Sequence, residues 1–101
     1  MNNKIRSTLG LCKQARLLVE GEAMCEKALQ SYGAKLIVVA NDASENTKKK
    51  FTNKSNYYRV PILFFSTKEE LGRSLGTEIR ATIVIMDENF STKINSLITE
   101  N

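Results

Sequence analysis

The sequence predicts a three-layer α/β/α sandwich built as one domain over residues 1–101. Three observations lead there. Short apolar runs at residues 36–40, 60–65 and 81–86 lack the alternation of a half-exposed sheet and read as strands covered on both faces. Segments with a three- to four-residue apolar period lie between them, so helices and strands alternate along the chain. No linker, repeat or low-complexity stretch divides the 101 residues. A domain of this length buries roughly 60–70% of the surface its unfolded chain exposes, so it is expected to fold without disulfides or metal.

Ile5, Leu9, Cys12 and then Ala15 or Arg16 recur at helical spacing and predict an amphipathic first helix. Leu17, Leu18 and Val19 form a brief β-run that Glu20 and Gly21 end. Over residues 22–32 the positions Cys25, Ala28, Leu29 and Tyr32 predict a second helix, with Gly33 where a left-handed cap belongs. Asn41, Asp42, Ala43 and Ser44 break the strand of residues 36–40, and Asp42 with Glu45 has capping-box spacing. The next helix, residues 44–57, has a thin apolar stripe of Thr47, Phe51 and Ser55 or Tyr58 and is otherwise rich in Lys. Pro61 is tolerable at the start of the strand over residues 60–65. Thr67 and Glu70 suit a capping box for a short helix carrying Leu71 and Leu75, which Gly76 can end. After residues 81–86, Asp87 is a fitting N-cap, and Phe90, Ile94, Leu97 and Ile98 complete a final stripe.

Composition excludes several chemistries. The chain has no His, which removes the commonest general base and catalytic metal ligand, and its two Cys cannot complete a four-ligand zinc site. Two Cys also make no secreted disulfide framework. No apolar run approaches ~18 residues and the N-terminus lacks a signal-peptide stretch, so the expectation is a soluble, cytoplasmic protein without a membrane segment. The formal net charge is +4. It is unevenly spread: residues 1–60 hold 11 Lys/Arg against 5 Asp/Glu, residues 61–101 hold 4 against 6. A basic half beside a slightly acidic one points to a polyanion-facing surface.

Residues 41–50 carry most of the chemical signal. They follow a buried strand and open a helix, where free N–H groups and the helix dipole favour an anion, and Lys48, Lys49 and Lys50 add positive charge. A nucleic-acid phosphate would fit there. A solvated basic face is the plainer alternative. Asp42 and Asp87 each follow a β-run, so a pair of acids at one sheet edge is conceivable, although capping explains both. Cys12 and Cys25 lie on apolar stripes and read as core. The glycines form neither a dinucleotide fingerprint nor a P-loop. Tyr32, Tyr57 and Tyr58 fit helix-end packing better than base stacking.

Several runs together carry a family resemblance: Leu9-Gly10-Leu11 through Ala15, Leu17-Leu18-Val19, Gly21-Glu22, residues 39–50 from Val39-Ala40-Asn41-Asp42 to Lys48-Lys49-Lys50, and Glu70-Leu71-Gly72 to Gly76. The chain resembles the bacterial YlxQ-type members of the ribosomal L-seven-Ae and L-thirty-e superfamily over nearly its whole length. The resemblance implies an α/β/α sandwich with a four-stranded mixed β-sheet, and RNA binding without catalysis or cofactor.

In kink-turn-binding relatives the RNA sits against the segment that corresponds to residues 21–27. Gly21 and Lys27 match the pattern there, whereas Ala23 and Met24 stand where it has a polar pair that hydrogen-bonds base edges. The resemblance therefore implies altered or weakened kink-turn specificity with phosphate attraction retained. A second contact region corresponds to residues 78–81, with Arg80 as its base or phosphate contact. With Ser44, Lys48, Lys49 and Lys50 from the reading of residues 41–50, and Gly21, Ala23, Met24, Lys27 and Arg80 from the resemblance, the expected RNA-binding set is complete. The expected partner is ribosomal or another structured RNA, with the ribosome itself as one setting, and the protein is expected to be a monomer. The competing expectation is a protein-interaction adaptor that keeps the fold and has lost specific RNA recognition.

Overall fold

The computed structural model describes residues 1–100. Its elements are α1 (Asn3–Gln14), β1 (Leu18–Glu20), α2 (Glu22–Gln30), β2 (Leu36–Val39), α3 (Glu45–Tyr58), β3 (Ile62–Phe64), α4 (Lys68–Ser74), β4 (Thr82–Ile85) and α5 (Glu88–Thr99). The strands form one mixed sheet in the order β1-β4-β2-β3. β4 is antiparallel to β1 and to β2, and β3 is parallel to β2. α1 packs on α4 and α5 while α2 packs on α3, which gives the two helical layers of the sandwich.

β2 and β4 are buried along their whole length, as unbroken apolar runs require of central strands. The core joins them to the helical stripes through Ile5, Leu9 and Cys12, through Cys25, Ala28 and Leu29, and through Phe51, Leu71 and Ile94. β3 has a neighbour on one side only, and its residues are half-buried or exposed. That edge position is why Pro61 is harmless: it loses no ladder donor, and its carbonyl accepts the Ile37 amide at 2.9 Å.

Ser44, Thr67 and Asp87 cap α3, α4 and α5, each side chain accepting from the amide three residues on. Two expected caps are corrected. Asp42 does not serve α3; its carboxylate accepts the Lys68 amide at 2.8 Å and so ties the loop after β2 to the start of α4. The left-handed residue after α2 is Tyr32 (φ 62), not Gly33. Gly33 serves packing instead, since a Cβ there would lie 3.3 Å from the Met86 methyl. Glu70 also departs from its capping box, taking the Met1 ammonium at 3.2 Å and the Ser66 hydroxyl at 3.0 Å.

Register decides which loops meet. Glu20 pairs with Ile83, and Val39 pairs with Thr82 on one side and Phe64 on the other. The ends of β1, β2 and β3 and the start of β4 therefore share one end of the sheet. Four connections converge there: β1–α2, β2–α3, β3–α4 and α4–β4. Asp42 follows β2 and Asp87 follows its antiparallel neighbour β4, so the two acids lie at opposite ends and form no pair.

Candidate nucleic-acid interface

At the four-loop end, β1 passes into α2 through Gly21, with φ 89 and ψ 148. That region of backbone space is essentially reserved for glycine. The Gly21 amide donates to the Thr82 carbonyl at 3.1 Å, which stitches the helix start to β4. No side chain caps α2, so the amides of its first turn remain open to an anion. Ala23 and Met24 lie on that turn and are both exposed. Ala23 has no side-chain polar atom, and Met24 offers only a weakly accepting thioether.

Arg80 reaches the same end from the α4–β4 loop. Its Nε donates to Glu20 Oε1 at 2.7 Å, its Nη1 to the Ile79 carbonyl at 3.4 Å, and its amide to the Lys68 carbonyl at 2.9 Å. Glu20 also accepts Lys13 Nζ at 2.6 Å. Burial by itself raises the Glu20 carboxyl, but the hydrogen bonds from Lys13 and Arg80 outweigh it and hold the group below its ordinary value. The carboxylate grips the guanidinium by one edge. Nη2 keeps no protein partner among the described residues and is left to donate to a phosphate or a base edge. Gly72 sets the path of this loop, because a Cβ there would sit 2.5 Å from the Glu78 carbonyl oxygen.

Ser44 also lies at this end, but its hydroxyl is committed. It accepts the Thr47 amide at 3.1 Å and donates to Thr47 Oγ1 at 3.0 Å, and Thr47 Oγ1 donates to Glu22 Oε1 at 2.7 Å. This relay locks the start of α3 to the start of α2. Any phosphate taken there uses the remaining first-turn amides and not the Ser44 side chain.

The lysines do not act as one block. Lys48 pairs with Glu45 at 3.8 Å. Lys50 and Lys54 share Glu26 of α2 at 3.6 and 3.7 Å, an acid that a local reading of residues 41–50 does not include. Lys49 and Lys27 are exposed and form no ion pair among the described residues. Gly21, Ala23, Met24, Ser44 and Arg80 thus come together at the four-loop end, while Lys27 and Lys48, Lys49 and Lys50 extend away from it along two adjacent helices.

Both thiols are core groups. Burial raises Cys12 to about 11 and Cys25 to about 12, so both stay protonated at neutral pH. Cys25 Sγ donates to the Val19 and Thr82 carbonyls. Glu20 and Glu22 are positioning acids that local patterning does not single out, and Asp42 is read locally only as a cap or as one of an acid pair. Each positions this end of the molecule through a partner distant in the chain, and an isolated acid in a helical or loop segment carries no mark of that.

Comparison with known proteins shows the family. The family model described as ribosomal protein L7Ae/L30e/S12e/Gadd45 matches residues 3–95. The chain is 42% identical over 90 residues to "RNA-binding protein YlxQ" of Bacillus subtilis (strain 168), covering 89% of this chain and 90% of that protein. It is 38% identical over 95 residues to "RNA-binding protein YlxQ" of Enterococcus faecium, covering 94% and 91%. A solved structure of a protein with unknown function from Bacillus halodurans C superposes with a TM-score of 0.92 at 36% identity, covering 97% of this chain and 99% of that one. With a match over most of its length in sequence and in fold, the chain belongs to the ribosomal protein L7Ae/L30e/S12e/Gadd45 family.

Proposed function

We propose that this chain is a non-enzymatic RNA-binding protein that holds a ribosomal or other structured RNA against the four-loop end and acts as a cytoplasmic monomer. The observation that carries the reading is Arg80, held by Glu20 with Nη2 free, beside the uncapped start of α2. The names of the two YlxQ relatives support it. Gly21 lets the RNA backbone approach a chain without a Cβ, Arg80 closes the far side, and Lys27 and Lys49 supply phosphate attraction along the adjoining helices. Ala23 and Met24 give shape and apolar contact in place of base hydrogen bonds, so kink-turn specificity is weakened while general affinity remains.

A specific observation favours a second reading. Met24 is 55% and Ile79 56% exposed, both at this end, and such apolar surface suits a protein adaptor. A titration of structured RNA at low and moderate salt decides. The RNA reading expects tight, salt-dependent binding that Lys27→Ala weakens, with the slope of log K against log[salt] reduced by about one. Weak binding that ignores RNA structure supports the adaptor.

A further inference from the structure

At the opposite end of the sheet, the ends of α2 and α3 bring together the chain's three tyrosines. Tyr58 is half-buried and makes edge-to-face contacts with Tyr32, ring centroids 5.4 Å apart, and with Tyr57, at 4.8 Å. Tyr32 and Tyr57 are 73% and 75% exposed. The cluster is braced by Tyr58, yet its two outer rings are presented to solvent. Two non-glycine residues here adopt left-handed backbone, Tyr32 (φ 62) and Arg59 (φ 57), a conformation rare for bulky side chains. Both close their helices, and the left-handed turn after α2 carries the Tyr32 ring out to solvent.

The electrostatics name the ligand. Lys35 and Arg59 are exposed without ion pairs among the described residues, and both line a cleft of about 550 Å³ beside Tyr32 and Tyr58, in which Glu88 is the only acid. Lys50, Lys54 and Tyr57 stand at i, i+4 and i+7 on α3 and so share one ridge. Lys50 and Lys54 have one acid, Glu26, between them. A cationic ridge thus runs from Lys50, midway along α3, to the aromatic end, about 10 Å over seven residues. Basic side chains that track a backbone, ending in exposed rings on which bases stack, are the recognition mode of single-stranded nucleic acid.

We infer that the Tyr32–Tyr57–Tyr58 end is a second RNA contact, which takes a single-stranded segment by stacking bases on Tyr57 and Tyr32 with Lys35, Lys54 and Arg59 on the phosphates. It is distinct from the four-loop end and does not depend on the structured-RNA reading.

The chain has no Trp, so its intrinsic fluorescence comes from these three tyrosines alone. The probe is an oligouridine of about ten nucleotides, within the usual span of a single-strand site. Tyrosine emission, corrected for nucleic-acid absorption, should be quenched with saturation, and Tyr57→Leu should weaken oligouridine binding roughly tenfold, since one stacked base is worth about that much. Tyr57→Leu keeps apolar area at an exposed site, and an unchanged melting temperature verifies its fold. Arg80→Ala should leave the quenching intact, which separates this site from the one at the other end. Absence of quenching, or equal binding by Tyr57→Leu, overturns the proposal and leaves a protein as the occupant of the tyrosine end.

Discussion

Arg80 Nε donates to Glu20 Oε1 at 2.7 Å across 60 residues of sequence. The pair orients a loop cation so that its Nη2 donor stays free, and the two partners are therefore expected to fail differently. Arg80→Ala should weaken RNA binding and lower the salt slope by about one, because a phosphate contact is lost. Glu20→Gln retains the cation but loosens its hold, so affinity should fall while the salt slope stays the same or rises. Equilibrium binding at three or more salt concentrations checks both; an affinity loss from Glu20→Gln that persists undiminished in an Arg80→Ala background would show that Glu20 does not act through Arg80.

The same carboxylate makes stability depend on pH. Glu20 lies below the ordinary value of 4.5 in the folded protein because Lys13 and Arg80 favour its charged form. A depressed carboxyl contributes stability that is complete above the unfolded value and is lost as pH falls through the folded one. Wild-type stability should therefore decline below about pH 4.5, and Glu20→Gln should flatten that part of the decline. Urea melts between neutral pH and the acid limb read the difference.

Neighbouring lysines should not be equivalent. Lys49 is exposed without an ion pair among the described residues, whereas Lys50 shares Glu26 with Lys54. Lys49→Ala should weaken RNA binding by roughly twofold to fivefold at low salt with a visible loss of slope. Lys50→Ala should cost less, because the Lys50 ammonium is already directed to Glu26 and is less available to a phosphate than that of Lys49. Equal losses in a filter-binding comparison would show that Glu26 does not partition the charge.

Much of the framework is legible in the order of residues. β2 and β4 are read from unbroken apolar runs, and Thr47, Phe51 and Ser55 are buried as their spacing predicts. Local patterning fails where a side chain answers to a distant partner. Asp42 has capping-box spacing with Glu45, yet the β2–β3 pairing brings the Lys68 amide within its reach, and Ser44 takes the cap. Tyr32 fits the apolar period of α2, but the helix ends at Gln30 and the chain turns left-handed, which carries the ring out to solvent. Arg80 is anticipated from the family resemblance as a base or phosphate contact; its orientation depends on Glu20, which the β1–β4 register delivers.

Gly72 links the fold to the interface by sterics and not by backbone freedom. A Cβ would lie 2.5 Å from the Glu78 carbonyl oxygen and 2.7 Å from the Ile79 amide nitrogen. Gly72→Ala must therefore push the 78–80 loop off α4, at a cost of about 1–3 kcal/mol for overpacking. In a domain of this size each kcal/mol lowers Tm by roughly 4–8 °C. RNA affinity should fall with it, because Arg80 moves with the loop. A variant that melts lower but binds RNA as tightly as wild type at a temperature where it is fully folded would uncouple the loop from the site.

Ala23 and Met24 allow the strongest test of altered readout. Both are exposed on the first turn of α2, next to Gly21, whose backbone conformation does not depend on them. Ala23→Asn with Met24→Glu places a polar pair on that turn without disturbing the core. Neither change creates a cavity, and an acid in the first turn of a helix is compatible with its dipole, so stability should shift by less than about 0.5 kcal/mol. The added carboxylate repels phosphate, which should weaken binding to generic structured RNA at low salt. If the surrounding geometry still presents these positions to base edges, affinity for a kink-turn should rise despite that repulsion, by about 1–3 kcal/mol of discrimination per well-made contact by analogy with duplex readout. Opposite movements for the two RNAs would locate the specificity at residues 23 and 24. A parallel loss for both would mean that the approach set by Gly21 and Arg80 no longer brings a kink-turn within reach.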